Sequence, residues 1–465
     1  MVTLTFHGAT RQVTGSCYLL ETAHSRVLLE CGLFQGPPEV DRLNERPFPF
    51  DPRAIHAVVL SHAHLDHSGL LPRLRREGFR GKVWATPQTL ELLDIMLKDA
   101  AHLQQKDAEW ENRRHERAGE KLVSPLYTLQ DAEELLTLGE PLIYGQRARI
   151  APDIEICFRD AGHILGSAIV ELWVEEGSET RKLVFSGDLG NATDPLLHDP
   201  EVVREADALL LESTYGDRDH RPLPETLAEF ARILQDAAAS GGNVLIPAFA
   251  IGRTQEILYH LGEFYHAGKL PQTKVFLDSP MAIAATQVHQ RHVQVFNREA
   301  RAAMRKDGNT ATEFLPPLRF VHSVEESMAV NRISGGAIII AGSGMCNGGR
   351  IRHHLKWNLW RESAHVVIVG FQAQGTTGRA LVDGATHVRL LGEDIVVKAQ
   401  IHTLGGFSAH AGQTALVNWA GQFARRPPLY LVHGEPEKMQ ALQARIKTVH
   451  GWEAHIPSED QTIRF

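Results

Sequence analysis

The chain has 465 residues, of which 43% are hydrophobic and 22% are charged, and its formal net charge is −8. This composition is typical of a folded protein with two or three domains and excludes a disordered chain or a surface that is basic overall. The four cysteines are scattered, which argues against a disulfide framework and a cysteine-type zinc site. The start of the chain does not resemble a secretory signal, and no apolar run approaches about 20 residues. We therefore expect a cytoplasmic protein without a membrane partner.

Short strands are predicted in the first 80 residues, from runs such as VTLTFHGA, SCYLLET, RVLLECG and AVVLSHA. The pattern is helical from about residue 88 to 140. Within it, the charged stretch DAEWENRRHERAGEK is interpreted as a solvated helix or loop. Strands then return and end with DALLLES near residue 212.

Strands and helices alternate from about residue 216 to 384. The runs NVLIPAF, KVFLDSP, AIIIAGSG and HVVIVGF are continuously apolar, which indicates a parallel sheet covered by helices on both faces. Strand-type runs resume after about residue 385, followed by a helix and the strand PLYLVHG. We predict one α/β domain inserted into another, with the outer domain formed by residues 1–212 and 385–465 and the inserted domain by residues 213–384.

Side chains that bind metals follow several of these apolar strands, and two more histidines lie in glycine-bracketed loops. They are His62, His64, Asp66 and His67 in SHAHLDH, Asp188 in SGD, Glu212 in LES, His433 in HGE, His163 in AGHILGSA and His410 in GGFSAHAG. Functional groups gather at the carboxyl ends of strands in α/β sheets, so we expect these residues to form one site.

The spacing of the first cluster suits two metal ions. His62 and His64 are two positions apart and share one face of an extended segment, so both can bind one ion. Asp66 and His67 follow where the chain turns and can reach a second ion, and Asp188 suits an anionic bridge. Imidazole and carboxylate together favour zinc, with manganese or iron as alternatives.

The combination resembles the metallo-β-lactamase fold. Glu212 in LLLESTYGDR, His410 in FSAHAG and His433 in LVHGE further resemble motifs A, B and C of its β-CASP branch. That branch includes the endonuclease subunit of the eukaryotic cleavage-and-polyadenylation factor, ribonuclease J and Artemis-type DNA nucleases. The resemblance implies an αββα metallo-β-lactamase sandwich with an inserted parallel α/β β-CASP domain.

The resemblance also implies roles for the residues. One zinc ion would be held by His62, His64 and His163, the other by Asp66, His67 and His433, and Asp188 would bridge them. Asp66 and Asp188 would be catalytic, together with His410 facing the scissile phosphate and Glu212 holding its ring. Motif C is a histidine in RNA-acting members and typically a valine in DNA-acting ones, so His433 points to RNA.

The expected activity is metal-dependent hydrolysis of RNA phosphodiester bonds, endonucleolytic or exonucleolytic, on single-stranded RNA by a monomer or homodimer. The alternatives are a DNA nuclease of the same family, a small-molecule thioester or lactam hydrolase, and a non-catalytic RNA-binding subunit.

One departure from the family pattern is visible, since the family motif LLDCG reads LLECG here, with Glu30. We expect its longer side chain to shift the orientation of a ligand rather than remove one. His402 in IHTLGG is interpreted as a structural strand residue.

Three segments of the inserted domain are candidate RNA contacts. Ser343 and Gly344 lie in AIIIAGSGMCNGGR, whose backbone amides can cradle a phosphate or simply form a tight turn. Arg350 begins the basic stretch GRIRHHLKWNLWR, which is either an RNA contact or a solvated helix face, with tryptophans that stack on bases or join the core. Arg253 in IPAFAIGRTQEIL either reaches the substrate or caps local structure.

Overall fold

A computed structural model describes residues 2–192, 194–308 and 310–465. The chain divides into two units, which are described separately. Unit 1 consists of Met1–Ala192, Asp199–Asp219 and His410–Phe465, and unit 2 of Thr193–His198 and His220–Ala409. Within the described ranges, every helix is too short or too polar to cross a membrane.

The strands, in chain order, are β1 Thr3–Phe6, β2 Tyr18–Glu21, β3 Arg26–Leu29, β4 Ala57–Val59, β5 Lys82–Ala85, β6 Gly139–Pro141, β7 Arg147–Ala151, β8 Ile154–Asp160, β9 Ala168–Glu176, β10 Glu179–Phe185, β11 Ala208–Glu212, β12 Val244–Pro247, β13 Lys274–Leu277, β14 Leu318–Phe320, β15 Ala337–Ala341, β16 His365–Ile368, β17 His387–Leu390, β18 Glu393–Val396, β19 Gln400–Thr403, β20 Leu429–Val432, β21 Ala454–His455 and β22 Thr462–Arg464. The α-helices span Pro38–Asp41, Leu65–Ser68, Leu71–Arg76, Pro87–Ala118, Leu129–Leu136, Leu223–Ser240, Arg253–His266, Pro280–Arg291, Arg298–Asp307, Ala311–Phe314, Val324–Val330, Ile351–Asn358, Thr377–Val382, Gln413–Ala420 and Pro436–His450. Short 3₁₀ turns span Arg42–Glu45, Pro52–Ala54 and Val293–Val295.

Unit 1 is a sandwich of two seven-stranded sheets. One sheet has the order β22-β1-β2-β3-β4-β5-β6 and the other β21-β20-β11-β10-β9-β8-β7. Apolar side chains from both sheets form one core, in which the ring of Tyr18 lies 5.8 Å from that of Phe6 and 5.4 Å from that of Phe185. The helices Gln413–Ala420 and Pro436–His450 cover the other face of the second sheet, and Pro87–Ala118 packs beside β6 of the first. The predicted αββα sandwich is confirmed.

Unit 2 is built on a six-stranded parallel sheet with the order β14-β13-β15-β12-β16-β19. One face packs against the helices Leu223–Ser240 and Arg253–His266, and the other against the helix Ile351–Asn358. Burial of both faces explains why these strands are continuously apolar in the sequence. The predicted parallel α/β domain is confirmed.

The outer limits of unit 2 differ from the predicted boundaries. Residues 385–409 were expected in the outer domain, but β19 pairs in parallel with β16 and extends the sheet of unit 2. β19 occupies the edge of this sheet, and its two end residues are exposed whereas Ile401 and His402 are half-buried. Within β19, His402 Nε2 lies 3.0 Å from Nδ1 of His365, so it has a partner inside the sheet.

Candidate metal centre

The nine side chains predicted to form one site all belong to unit 1 and come together there. Each follows a strand or lies in a loop beside one. His62 and His64 follow β4, Asp66 and His67 lie in the short helix Leu65–Ser68, and His163 lies between β8 and β9. Asp188 follows β10, Glu212 ends β11, His410 precedes the helix Gln413–Ala420, and His433 follows β20.

The first set of ligand atoms belongs to three histidines and Asp188. His64 Nδ1 lies 3.1 Å from Nε2 of His62 and 3.4 Å from Nε2 of His163. Both of those Nε2 atoms lie 3.6 Å from Oδ2 of Asp188. One ligand atom from each of the four residues fits within a span of 4.8 Å, so a single cation can contact all of them.

The second set consists of Asp66, His67 and His433. The Nε2 atoms of the two histidines are 3.2 Å apart, and Asp66 Oδ2 lies 3.5 Å from that of His433. Asp188 also borders this set, because its Oδ2 lies 3.4 Å from His67 Nε2 and its Oδ1 lies 3.4 Å from His433 Nδ1. One carboxylate therefore faces both sets of ligands.

The donor atoms fit bound cations. Asp188 is 2% exposed, and within the described part of the chain its Oδ1 makes no hydrogen bond. A buried carboxylate oxygen costs free energy unless it is paired with a donor or coordinates a metal. Here it lies among imidazole nitrogens, and this mixture of imidazole and carboxylate is the donor set that zinc uses.

The electrostatics of the centre support the same interpretation. Burial lowers the pKa of His62 well below 6.5, and the neighbouring His67 adds to this. Burial alone would lower the pKa of His67 as well, but Asp188 and Asp66 raise it well above 6.5. Burial alone would raise the pKa of Asp188, but His433 and His67 hold it well below its ordinary value. The protons shared among these groups are those that a cation displaces when it binds.

Glu30, which replaces the aspartate of the family motif, contacts the ring of His67. The side chain is fully buried, its Oε2 accepts a hydrogen bond from Nδ1 of His67 at 2.9 Å, and its Oε1 accepts one from the backbone N–H of Ser61 at 2.6 Å. Burial raises the pKa of Glu30, and the bond to His67 opposes the increase. A ligand histidine that donates its other ring N–H to a carboxylate is held in one orientation and one tautomer.

Two further orienting contacts were missed in the sequence. Ser61 Oγ lies 3.0 Å from Nδ1 of His62, and Thr214 Oγ1 lies 3.0 Å from Nδ1 of His433. Ser61 precedes the motif directly, and Thr214 lies two residues after Glu212. Hydroxyl residues beside a ligand motif were the available signal, but serine and threonine are too common near strand ends to be singled out.

His410 and Glu212 form a pair at the edge of this centre. His410 Nδ1 lies 3.4 Å from Glu212 Oε1 and 3.8 Å from Asp188 Oδ2. Glu212 is fully buried, and its two oxygens accept the backbone N–H groups of Leu189 at 2.9 Å and Thr214 at 3.0 Å. Burial alone would lower the pKa of His410, but Glu212 raises it. The carboxylate is therefore fixed in place and favours the protonated form of the ring.

A close approach of two loops places His410. Gly190 and His410 form an isolated antiparallel bridge, and the N–H of Ala411 donates to the carbonyl of Leu189 at 2.8 Å. A Cβ atom at Gly190 would lie 1.9 Å from the carbonyl oxygen of Gly162. Only glycine permits the Asp188 loop to pass between the loops of His163 and His410.

The four candidate RNA contacts all belong to unit 2. Arg350 donates to Asp278 at 2.5 Å, and this carboxylate is also bound by Ser327 and by the buried His354. Arg253 pairs with Glu256 and its side chain is 10% exposed. Both arginines therefore have internal partners.

The glycine-rich loop is also held internally. Ser343 Oγ accepts from the N–H of Gly348 at 3.1 Å, and the carbonyl of Gly344 accepts from Gln372 at 3.0 Å. In the basic stretch, Trp357 and Trp360 are each 48% exposed, so neither is a core residue. A role of Ser343, Gly344, Arg350 and Arg253 in binding RNA stays a prediction.

Comparison with protein families gives three matches along the chain. A metallo-β-lactamase superfamily model matches residues 10–145, and a Beta-Casp domain model matches residues 254–381. A model described as a Zn-dependent metallo-hydrolase RNA specificity domain matches residues 394–457. The matches cover segments of both units.

Individual proteins are similar over the whole chain. Ribonuclease TTHA0252 of Thermus thermophilus is 43% identical over 450 residues, which is 97% of this chain and 96% of that protein. The transcription termination factor FttA of Pyrococcus abyssi is 31% identical over 100% of this chain and 71% of its own length. A crystal structure of a protein of unknown function from Enterococcus faecalis V583 covers 99% of both chains with a TM-score of 0.58 and 13% identity, which is a likeness of fold.

Proposed function

Because this chain belongs to the β-CASP branch of the metallo-β-lactamase superfamily, we propose that it is a metal-dependent ribonuclease that hydrolyses phosphodiester bonds of single-stranded RNA. The observation that carries the proposal is the position of Asp188 between two complete sets of ligand atoms, with the His410–Glu212 pair 3.8 Å away. The relatives, a ribonuclease and a transcription termination factor, support RNA as the substrate.

We assign two zinc ions to this centre, with manganese or iron as alternatives. His62, His64 and His163 would hold one ion, Asp66, His67 and His433 would hold the other, and Asp188 would contact both. When bound, such a metal pair lowers the pKa of a coordinated water to about 7 and offsets the charge of a phosphate.

The residues beside the metal ligands supply the proton for the leaving group. Hydrolysis adds water to phosphorus and breaks the bond to the 3′ oxygen, which must gain a proton. His410 is placed to donate that proton, and Glu212 keeps its ring oriented and favours its protonated form. The products would carry a 5′ phosphate and a 3′ hydroxyl. The 2′ hydroxyl takes no part in this reaction, so a preference for RNA must arise from binding.

Asp66 has a separate role in this scheme as a ligand at the entrance of the centre. Its side chain is 23% exposed, against 2% for the other carboxylate ligand, Asp188. Burial alone would raise its pKa, but His67 and His433 lower it, so the carboxylate is ionised at neutral pH. An ionised ligand that solvent can reach is suited to face the substrate side.

The remaining features of the proposal concern the protein as a whole. All four cysteines are unpaired and buried, which supports the cytoplasmic setting expected from the sequence. The active form is proposed to be a monomer or a homodimer. Cleavage within the RNA and trimming from an end are both compatible with the residues of the centre.

The experiment that tests the proposal combines metal analysis with cleavage of 5′-labelled single-stranded RNA and matched DNA. We expect about two ions per chain, cleavage of RNA in preference to DNA, and loss of cleavage in Asp66→Ala. The matched control is Asp394→Ala, whose side chain is 70% exposed, and it should behave as the wild type. The label distinguishes internal cuts from end trimming. Equal cleavage of DNA would indicate a DNA nuclease, and turnover of a thioester without nucleic-acid cleavage would indicate a small-molecule hydrolase.

A further inference from the structure

The helix Pro87–Ala118 is much longer than its packing requires. Its buried residues are concentrated in the first half, from Gln88 to Ala101, and only Ala108 is buried beyond that point. Its first turn contacts the loop of the metal centre, because the hydroxyl of Thr89 donates to the carbonyl of Gly166 at 2.9 Å, three residues after His163. The helix therefore starts beside the metal centre and continues away from it as a largely exposed rod.

One side of the exposed half carries cations and an aromatic ring. The residues Lys106, Trp110, Arg113, Arg114 and Arg117 recur at intervals of three and four, so they lie on one face of the helix. All five are exposed, and Trp110 is 63% exposed. The guanidinium of Arg114 lies 5.9 Å from the centre of the Trp110 ring. We call these five residues the basic-aromatic stripe.

The opposite side of the helix is held by the rest of unit 1. Asn112 bonds both the N–H and the carbonyl of Val123, at 2.7 and 2.9 Å, and Gln105 accepts the N–H of Leu129 at 3.0 Å. These contacts fix the rotation of the helix about its axis. The basic-aromatic stripe is therefore turned outward by the packing of its other side.

Acidic side chains lie beside the stripe rather than on it. Residues 107–120 contain five of them, and two, Glu111 and Glu120, lie 3.6 and 3.3 Å from Nε2 of His115. Among the described residues, the four cations of the stripe form no ion pair. The stripe therefore presents four cations without an ion pair around an exposed indole.

We propose that the basic-aromatic stripe binds single-stranded RNA at a second contact, outside the centre where cleavage occurs; this rests on the proposed function. Cations spaced along a helix attract successive phosphates, and an exposed indole offers a stacking surface to any base. The exposed apolar surface here is essentially Trp110 with Leu103, 53% exposed, which is small for a protein partner. Cations that form no ion pair, beside one exposed aromatic ring, suit a flexible polyanion with bases.

The geometry sets a length requirement for the RNA. Trp110 is 21 positions after Thr89, and a helix rises 1.5 Å per residue, so the stripe lies about 30 Å from the loop of His163. An RNA held at both places must span that distance. A short RNA can occupy the metal centre but cannot also reach the stripe. Substitutions in the stripe should therefore affect the cleavage of long substrates only.

The test compares cleavage of adenosine homopolymers of about five and about 30 nucleotides, lengths below and above what the two contacts require. The full chain is used as wild type, as Trp110→Ala, and as the pair Arg113→Gln/Arg117→Gln, since glutamine keeps helix propensity. Matched controls are Tyr265→Ala, which removes an aromatic ring of unit 2 that is 40% exposed, and Arg425→Gln/Arg445→Gln, which removes two exposed charges from unit 1.

We expect both stripe variants to raise KM for the long RNA about tenfold and to leave the short RNA unchanged. The arginine pair should also reduce the slope of log affinity against log salt by about 1.4, which corresponds to two phosphate contacts. The proposal would be overturned if the stripe variants had the same KM for the long RNA as the control variants. If the wild type cleaves neither RNA, the proposed function itself fails. If all variants cleave the short RNA, the catalytic centre is intact, and the result with the long RNA then tests the stripe alone.

Discussion

Replacing Glu30 by glutamine tests whether the tautomer of His67 controls metal binding. Both oxygens of Glu30 accept hydrogen bonds, one from the backbone N–H of Ser61 and one from Nδ1 of His67. A carboxylate only accepts, so His67 must carry its proton on Nδ1. Its Nε2 lone pair is then directed toward the other ligands, 3.2 Å from Nε2 of His433.

A glutamine of the same length can keep the bond to Ser61 but then presents N–H groups to His67. If the ring keeps its Nδ1 proton, it loses a charge-assisted hydrogen bond worth about 1.5–3 kcal/mol. This loss corresponds to metal binding that is about 10- to 100-fold weaker. If the ring moves its proton to Nε2, it ceases to be a ligand. The set formed by His62, His64 and His163 does not contact Glu30, so we expect one of two ions to be lost preferentially.

Competition with a chelator, followed by metal analysis, measures this effect. Glu30→Gln should retain about one ion per chain under conditions in which the wild type retains about two. The control Glu453→Gln changes a carboxylate that is 66% exposed and should match the wild type. Two ions held with wild-type affinity in Glu30→Gln would show that His67 binds without help from Glu30, and the tautomer argument would be wrong.

Three further changes probe other parts of the chain. His410→Ala should keep its metal content and lose about 10²–10⁴-fold in cleavage rate, since the proton donor is removed; cleavage near the wild-type rate would exclude this role. Thr214→Val removes the hydroxyl bonded to Nδ1 of His433 and should weaken metal affinity about tenfold, and unchanged affinity in a titration would count against it. Burial lowers the pKa of His289 from 6.5 to about 4, so the unfolded chain takes up a proton first as pH falls, and stability is lost between these values. Between pH 7.5 and pH 5, the free energy of unfolding measured with urea should decrease by about 2 kcal/mol less in His289→Gln than in the wild type. Equal decreases in the two proteins would refute the assignment.

The residues of the candidate metal centre could be predicted to lie together because their order along the chain is itself informative. Strand ends are readable from apolar runs, and a histidine or aspartate directly after such a run has few structural explanations. His62, His163 and Asp188 were therefore placed in one site before any distances were known. The αββα sandwich followed from the same runs and is confirmed by the two seven-stranded sheets.

The contacts that orient the ligands could not be predicted in the same way. Thr214 bonds His433, which is more than 200 positions away, and nothing in the local sequence marks that pairing. The edge strand β19 was assigned to the wrong domain for a related reason. Its run DIVVKAQIHTL is β-type like the strands of the outer domain, and only its pairing with β16 shows that it completes the parallel sheet of unit 2. Pairing between distant segments depends on shape in three dimensions, which the sequence pattern does not express.

The order of the ligands along the chain also has a consequence for biosynthesis. His62 follows a strand near the start of the chain, whereas His433 follows β20, which pairs in parallel with β11 near the middle of its sheet. A nascent chain that has emerged only as far as unit 2 lacks both β20 and two of the nine side chains of the centre, His410 and His433. In such a fragment the set of His62, His64, His163 and Asp188 would already be complete, but the second set would lack His433, so a second ion could bind tightly only after β20 joins the sheet. The proposed two-ion centre would therefore be completed only when the last strands of its sheet have been added.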